Sequence, residues 1–263
     1  MKTIYKIPES AEKVIHEFTN LTIGGKKIVC PYFINTKSQR AGLRVLIGKG
    51  DPGEIEREVN VHSQLKGLDI YKLNESEIRN FMIENHIGID CSGLVVHILN
   101  YWLKKQSLRP LIYYLEFSNR SLISKLKRKL RPVEQIGANL LTNSNNSKAI
   151  TNLNDVRPGD LIRSKGQRTN SHHLMLITEV TLVDDEVKEI EYVHSIRQYN
   201  EENGVRFGKI LINNINAGLH EQNWTELKDG RNWAYEGFIK DLQDNGIRRL
   251  KRVNLKYNTL NHE

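Results

Sequence analysis

The segment Gly88-Ile89-Asp90-Cys91-Ser92-Gly93-Leu94-Val95 places a cysteine where a loop turns into an amphipathic helix. Apolar residues then recur at helical spacing, at Leu94, Val95, Ile98, Leu99 and Trp102. One side of this helix should therefore face a core. Asp90 can cap the helix, and Gly88 and Gly93 let the backbone turn tightly. Cys91 would lie in the first turn, where the helix dipole lowers the pKa of a thiol and free N–H groups can bind an oxyanion.

Two histidines in the second half of the chain are candidate partners of Cys91. Residues 174–183 and 190–196 have the composition of strands and are joined by an acidic turn. His173 directly precedes the first strand and His194 lies in the second, so we expect them to be neighbours. One histidine can act as a base toward the thiol, and the other can orient that base. The alternative is that one caps a strand and the other fills a polar site in the core.

The order of predicted elements indicates the fold class. Helices are predicted over residues 8–20 and 74–85, the second capped by Asn74 or Ser76. Further strands are predicted at 43–47, from residue 160, at 205–212 and at 246–253. A mainly helical front half followed by an antiparallel back half predicts an α+β fold.

Composition excludes several classes of protein. The chain has 263 residues, 38% hydrophobic and 27% charged, which is typical of globular proteins. No apolar run approaches the roughly 20 residues that span a bilayer, so no membrane span is predicted. The first residues lack the apolar core of a secretory signal, which predicts a cytoplasmic location, with leaderless export as the alternative. Two cysteines make neither a disulfide scaffold nor a four-cysteine zinc site.

The net charge of +8 favours anionic partners. Residues 125–131 (KLKRKLR) hold five basic residues in seven, and a second cluster consists of Arg248, Arg249, Lys251 and Arg252. These patches predict contact with an anionic polymer, unless they are only solvated faces. Aromatic residues do not interleave with the first run, so nucleic acid is the less favoured partner.

Four short motifs in this order resemble the NlpC-type papain-like cysteine peptidases. They are GIDCSGLV at 88–95, RPGDLI at 157–162, SHHLMLI at 171–177 and YVHS at 192–195. The resemblance implies a papain-like α+β fold, in which N-terminal helices carrying the nucleophile pack on an antiparallel sheet. It also implies a single catalytic domain over residues 1–263, with insertions at about 35–85 and 105–150.

The same resemblance assigns the site residues. Cys91 matches the nucleophile, His173 the general base and His194 the residue that orients the base. Tyr32 is the best match to a tyrosine that the family carries upstream, although the glycines expected beside it are absent. Ser92 is expected to assist at the oxyanion. The family's chemistry requires no metal and no organic cofactor.

The implied reaction is amide hydrolysis through a thioester on Cys91. The substrate class would be peptidoglycan stem peptides, so a peptide or muropeptide is the expected partner. One alternative is an acyltransferase or amidase that acts on small-molecule or lipid amides. Another is a catalytically inactive module that binds peptide or wall polymer in the same cleft.

Overall fold

A computed structural model describes residues 1–35, 43–118, 121–165 and 172–262 of the chain. Its helices are α1 (Glu9–Thr19), α2 (Pro52–Leu65), α3 (Glu75–Glu84), α4 (Cys91–Lys105), α5 (Leu122–Leu130), α6 (Ala138–Thr142) and α7 (Trp233–Phe238). Its first strands are β1 (Lys2–Lys6), β2 (Leu21–Ile23), β3 (Lys26–Ile28), β4 (Ser147–Ile150), β5 (Leu161–Lys165) and β6 (His172–Val183). The remaining strands are β7 (Glu186–Ile196), β8 (Gly204–Leu211), β9 (Asn223–Trp224), β10 (Gly246–Leu250) and β11 (Asn258–His262).

The main sheet is antiparallel throughout its described pairings. Its strands follow the order β4-β10-β5-β6-β7-β8-β9. Two strands pair with the same edge of the long strand β6. β5 pairs with its residues 172–176 and β1 with its residues 179–183. β11 then pairs with the free edge of β1. Helices combined with a mostly antiparallel sheet confirm the α+β prediction.

Strand β6 is buried on both faces. Leu174 and Leu176 belong to the apolar cluster that contains the buried residues of α1 and α4. Met175 and Ile177 belong to a second cluster on the opposite face, together with Trp224. Successive side chains of a strand point to opposite faces, so a strand covered on both sides is apolar at every position. The uninterrupted apolar run 174–177 therefore places the start of β6 in the middle of the molecule.

Helix α4 begins at Cys91, as the sequence predicts. The carboxylate of Asp90 caps it by accepting a hydrogen bond of 2.5 Å from the N–H of Gly93. The helix packs between α1 and the sheet, and its apolar residues are buried along its length. Helix α3 begins in the same way, because Asn74 caps it and Glu77 completes a capping box. Asn74, and not Ser76, is therefore the cap of this helix.

Some predictions from sequence were wrong. Residues 43–47 were expected to form a strand, but Val45–Ile47 is a short 3-10 helix. It ends at Gly48, whose φ of +75° is left-handed and suits glycine. The strand expected over 246–253 ends at Leu250. The polar terminal strands β1 and β11 were not predicted, because their pairing partners are distant in the chain.

The segment between α4 and β4 contains α5 and α6. α6 packs against β4, β5, β6 and β10, and residues Ala138, Leu141 and Thr142 are buried there. α5 has no buried residue. Among the described residues, every helix is too short or too polar to cross a bilayer.

Candidate functional site

Cys91 is the first residue of α4, and its side chain is 5% exposed. Its Sγ lies 3.8 Å from the carbonyl oxygen of His172. The main-chain N–H groups of Leu174 and Ser92 are close enough to lower the pKa of the thiol. The thiol therefore lies against the main chain on both sides of His173.

Burial controls the protonation of this thiol. The pKa of Cys91 is raised to about 12, mainly by withdrawal from water and also by the carboxylate of Asp90, against the opposing effect of Lys49. The lowered pKa expected from the helix position alone is wrong, because burial disfavours the thiolate more than these groups favour it. Cys91 is thus a neutral thiol at neutral pH.

His173 and His194 are in direct contact, as the hairpin predicts. Nε2 of His173 lies 2.8 Å from Nδ1 of His194. The two residues sit at the start of β6 and near the end of β7, which pair with each other. Burial holds the pKa of His173 well below its usual value of 6.5, and the neighbouring His194 lowers it further. His173 is therefore a neutral imidazole at neutral pH.

Glu226 extends this pair into a chain of three side chains. Its Oε1 lies 3.0 Å from Nε2 of His194, and its Oε2 accepts a hydrogen bond of 2.7 Å from the hydroxyl of Tyr192. Nε of Arg206 forms an ion pair with Oε1 at 2.7 Å. Burial alone would raise the pKa of Glu226, but His194, Tyr192 and Arg206 together hold it below its usual value. Glu226 is therefore a buried carboxylate.

The charge on Glu226 determines which ring nitrogens carry protons. A carboxylate only accepts hydrogen bonds, so Nε2 of His194 must donate to it. When His194 carries only this one proton, its Nδ1 is an acceptor and Nε2 of His173 donates to it. This tautomer leaves Nδ1 of His173 without a proton, so that nitrogen is a base.

Sequence reasoning missed Glu226. It follows His194 by 32 positions and comes after β9, in the short run Trp224-Thr225-Glu226. No periodicity or motif marks this run as part of a site. Only the return of the chain past the end of β7 brings the carboxylate beside His194.

Lys49 forms a second buried cluster next to Cys91. Its Nζ donates to Oδ1 of Asp90 at 2.9 Å, to Oγ of Ser92 at 2.5 Å and to the carbonyl of Ile136 at 3.1 Å. The hydroxyl of Ser92 in turn donates to Asp90 at 3.0 Å. Ser92, expected to assist at the oxyanion, thus has its hydroxyl committed to this cluster. Its main-chain N–H is the group that lies near the thiol.

Tyr32 lies in the site despite its distance from Cys91 in sequence. It forms a parallel bridge with Ile89, and the N–H of Ile89 donates to the carbonyl of Pro31 at 3.0 Å. Burial raises the pKa of the Tyr32 phenol, and Cys91 and Asp90 raise it further. The bridge thus places the main chain of Tyr32 beside Ile89, close in sequence to Cys91, and the raised pKa keeps the phenol protonated.

Within the described ranges, no three His, Cys, Asp or Glu side chains converge as a metal site requires. The side chains of His173, His194 and Glu226 are instead linked one to the next by hydrogen bonds. Comparison with protein-family models, with curated proteins and with solved structures found no match for this chain.

Proposed function

We propose that this chain is a cysteine hydrolase of the papain-like, NlpC type that cleaves amide bonds in peptidoglycan stem peptides. One observation carries the proposal. The Cys91 thiol, at the start of α4, lies against the main chain flanking His173, and that imidazole heads a buried chain to His194 and Glu226. A nucleophile, a base and groups that orient the base are the parts that this chemistry requires.

The first half of the reaction begins from neutral groups. Nδ1 of His173 takes the thiol proton as Sγ of Cys91 attacks the carbonyl carbon of the amide. The imidazolium that forms is stabilised through His194 by the carboxylate of Glu226. Main-chain N–H groups in the first turn of α4, together with the phenol of Tyr32, stabilise the oxyanion. The C–N bond then breaks, and the leaving amine takes the proton from His173.

The second half of the reaction releases the acyl group. Water gives a proton to His173 and attacks the thioester carbonyl. The C–S bond breaks, the thiol of Cys91 regains its proton, and the acyl group leaves as a carboxylic acid. Because the pKa of His173 lies well below 6.5, the base stays unprotonated in mild acid. The acid limb of kcat/KM is therefore expected below the usual histidine range.

The proposal is tested by digesting defined muropeptides and detecting products by mass spectrometry. The native chain should release peptide fragments, whereas Cys91→Ala should release none and still unfold cooperatively in urea. Cys30→Ala is the matched control, because Cys30 is the other buried free cysteine and should not affect turnover apart from stability. Equal product from native protein and Cys91→Ala would refute the hydrolase mechanism.

A non-catalytic module that binds peptide or wall polymer is the second candidate. The observation that favours it is the resting state of the site, because Cys91 is nearly buried and both the thiol and His173 are neutral. The rate of alkylation by iodoacetamide distinguishes the hydrolase from the binding module. A thiol assisted by a base should react faster than Cys30 at neutral pH, and equally slow alkylation of both cysteines supports the binding module.

A further inference from the structure

Helix α5 presents an apolar face that nothing in the described part of the chain covers. Leu122, Ile123, Leu126 and Leu130 are 82%, 70%, 58% and 70% exposed. At 3.6 residues per turn these four side chains fall within an arc of roughly 100°. Four large apolar side chains on one side of a nine-residue helix form a continuous stripe. An exposed stripe of this kind marks an interaction surface.

The rest of the helix circumference is basic. Lys125, Lys127, Arg128, Lys129 and Arg131 occupy the other side, and no acidic residue occurs between residues 117 and 133. Lys125, Lys127 and Lys129 form no ion pair within the part of the chain that the structure describes. Their charge is therefore available to an external anionic partner.

The C-terminal basic cluster differs from α5, because its basic side chains have partners within the protein. Arg249 pairs with both carboxylate oxygens of Asp160, at 2.7 and 2.8 Å. Arg252 pairs with Glu116, and Lys251 donates to the carbonyl of Ser144. These basic groups are used inside the fold. The unpaired lysines of α5 are not needed to hold the molecule together.

The orientation of α5 directs its apolar stripe outward. A groove of about 900 Å³ runs between the helix and the segment 110–117, and Lys125, Arg128 and Lys129 line it. Arg128 stacks over the ring of Phe117 at 4.6 Å. The side of α5 that carries Arg128 thus faces the body of the protein, the apolar stripe points away from it, and the lysines lie on the flanks between the two.

We propose that α5 is a docking helix that lays its apolar stripe into the surface of an anionic lipid bilayer. A basic polar face opposite leucines is the pattern of helices that lie in the membrane interface. The leucines enter the acyl boundary, and the flanking lysines extend to the lipid phosphates. A protein partner would have to be both strongly acidic and apolar, whereas an anionic bilayer supplies both properties at once.

This docking is independent of the proposed hydrolase activity. Cys91→Ala should therefore bind membranes as the native chain does. A failure of docking and a failure of catalysis can thus be told apart.

Vesicle co-sedimentation of the full chain tests the proposal. Little protein should sediment with vesicles of phosphatidylcholine alone. Most of it should sediment with vesicles that are about one third phosphatidylglycerol. Raising the salt from about 0.1 M to about 1 M should release the protein, because the Debye length falls from about 10 Å to about 3 Å.

Two variants assign the binding to α5. Replacing Lys125, Lys127 and Lys129 with Gln should weaken binding by about 100-fold, roughly fivefold for each lysine. Leu122→Glu with Leu126→Glu should abolish it. The matched control is Val61→Glu with Leu65→Glu, which places two glutamates at the same spacing on exposed positions of α2 and should leave binding unchanged.

Three outcomes would overturn the proposal. The first is no sedimentation of the native chain with anionic vesicles. The second is native binding by the α5 variants. The third is a dimer in sedimentation equilibrium that the Leu122→Glu and Leu126→Glu pair dissolves without any vesicle binding, which would assign the stripe to a second copy of the chain.

Discussion

Glu226 decides where the protons sit in the candidate site. Its carboxylate accepts from Tyr192 and from His194, and Arg206 balances its charge. Because a carboxylate cannot donate, the two imidazoles are held in tautomers that leave Nδ1 of His173 as a base. At the scale of single residues, the reactivity that we propose for Cys91 therefore depends on a side chain that does not touch it.

Glu226→Gln should remove most of the reactivity of Cys91 and keep the fold. A glutamine amide can donate as well as accept, so the tautomers of His194 and His173 are no longer determined. We expect kcat to fall by roughly 10²- to 10⁴-fold, a range typical of losing an oriented general base. Alkylation of Cys91 by iodoacetamide, followed by peptide mass spectrometry across a pH series, measures the same loss without a substrate.

Tyr192→Phe is the matched control for this variant. It removes the hydrogen bond from Tyr192 to the carboxylate of Glu226 but leaves the carboxylate and the tautomers intact. Its urea midpoint should fall, because a buried hydrogen bond contributes about 1 kcal/mol, while alkylation changes less than tenfold. Equal loss of alkylation rate in both variants would mean that Glu226 only supports the packing of His194.

The start of helix α4 is positioned by a contact that leaves no room for a side chain. A Cβ on Gly93 would lie 2.6 Å from the carbonyl oxygen of Gly48 and 2.8 Å from Cδ1 of Ile89. That same carbonyl accepts a hydrogen bond from the N–H of Asp90. At the scale of elements, this close approach holds the helix start, and Cys91 with it, against the segment that carries Lys49.

Gly93→Ala should destabilise the protein although alanine favours helix. The clash forces the first turn of α4 away from Gly48 and should lower the free energy of unfolding by about 1–3 kcal/mol. Urea denaturation measures this change. Gly53→Ala is the control in the first turn of α2, where a Cβ would meet nothing closer than 3.4 Å. Gly53→Ala should raise the free energy of unfolding by roughly 0.5–1 kcal/mol, and stabilisation by Gly93→Ala as well would exclude the clash.

Several thiols and phenols that folding withdraws from water ionise only at high pH. Burial raises the pKa of both thiols, Cys30 and Cys91, and of the phenols of Tyr32, Tyr192 and Tyr199. The unfolded chain releases these protons near the ordinary values of 9.0 and 10.0, whereas the folded chain retains them. At the scale of the molecule, folding is therefore linked to retention of protons in alkali.

Stability should be constant with respect to these groups below pH 9 and fall above it. The unfolded state binds fewer protons in this range, so the free energy of unfolding decreases as pH rises. Each thiol contributes about 1.4 kcal/mol per pH unit up to its folded pKa, which is about 12 for Cys91. Urea unfolding at a series of pH values from 7 to 10.5 measures the slope.

Cys30→Ala checks the origin of that slope. The variant loses some stability at every pH because Cys30 is fully buried. Between pH 9 and pH 10 the free energy of unfolding of the variant should fall less steeply than that of the native chain. The difference should equal the contribution of one thiol. An unchanged slope would show that the buried thiols are not the groups that link folding to alkali.

Local patterns in the sequence were enough to locate the main elements of the site. The cap at Asp90, the apolar period after Cys91 and the hairpin that carries His173 and His194 depend on neighbouring residues, so spacing alone predicted them. Short-range geometry of this kind is nearly independent of the rest of the chain. The α+β class followed from the order of these elements.

Tertiary structure decided the rest, because burial and contacts between distant segments have no signature in local spacing. Glu226 reaches His194, and Lys49 reaches Asp90, only through the packing of elements that are far apart in sequence. The protonation of Cys91 was predicted with the wrong sign because a helix dipole can be recognised from sequence, whereas the depth of burial cannot. The candidate nucleophile and the two histidines are thus recognisable from local sequence, whereas the place of Glu226 and the protonation of the thiol are set by the contacts, solvent exclusion and charges that folding creates.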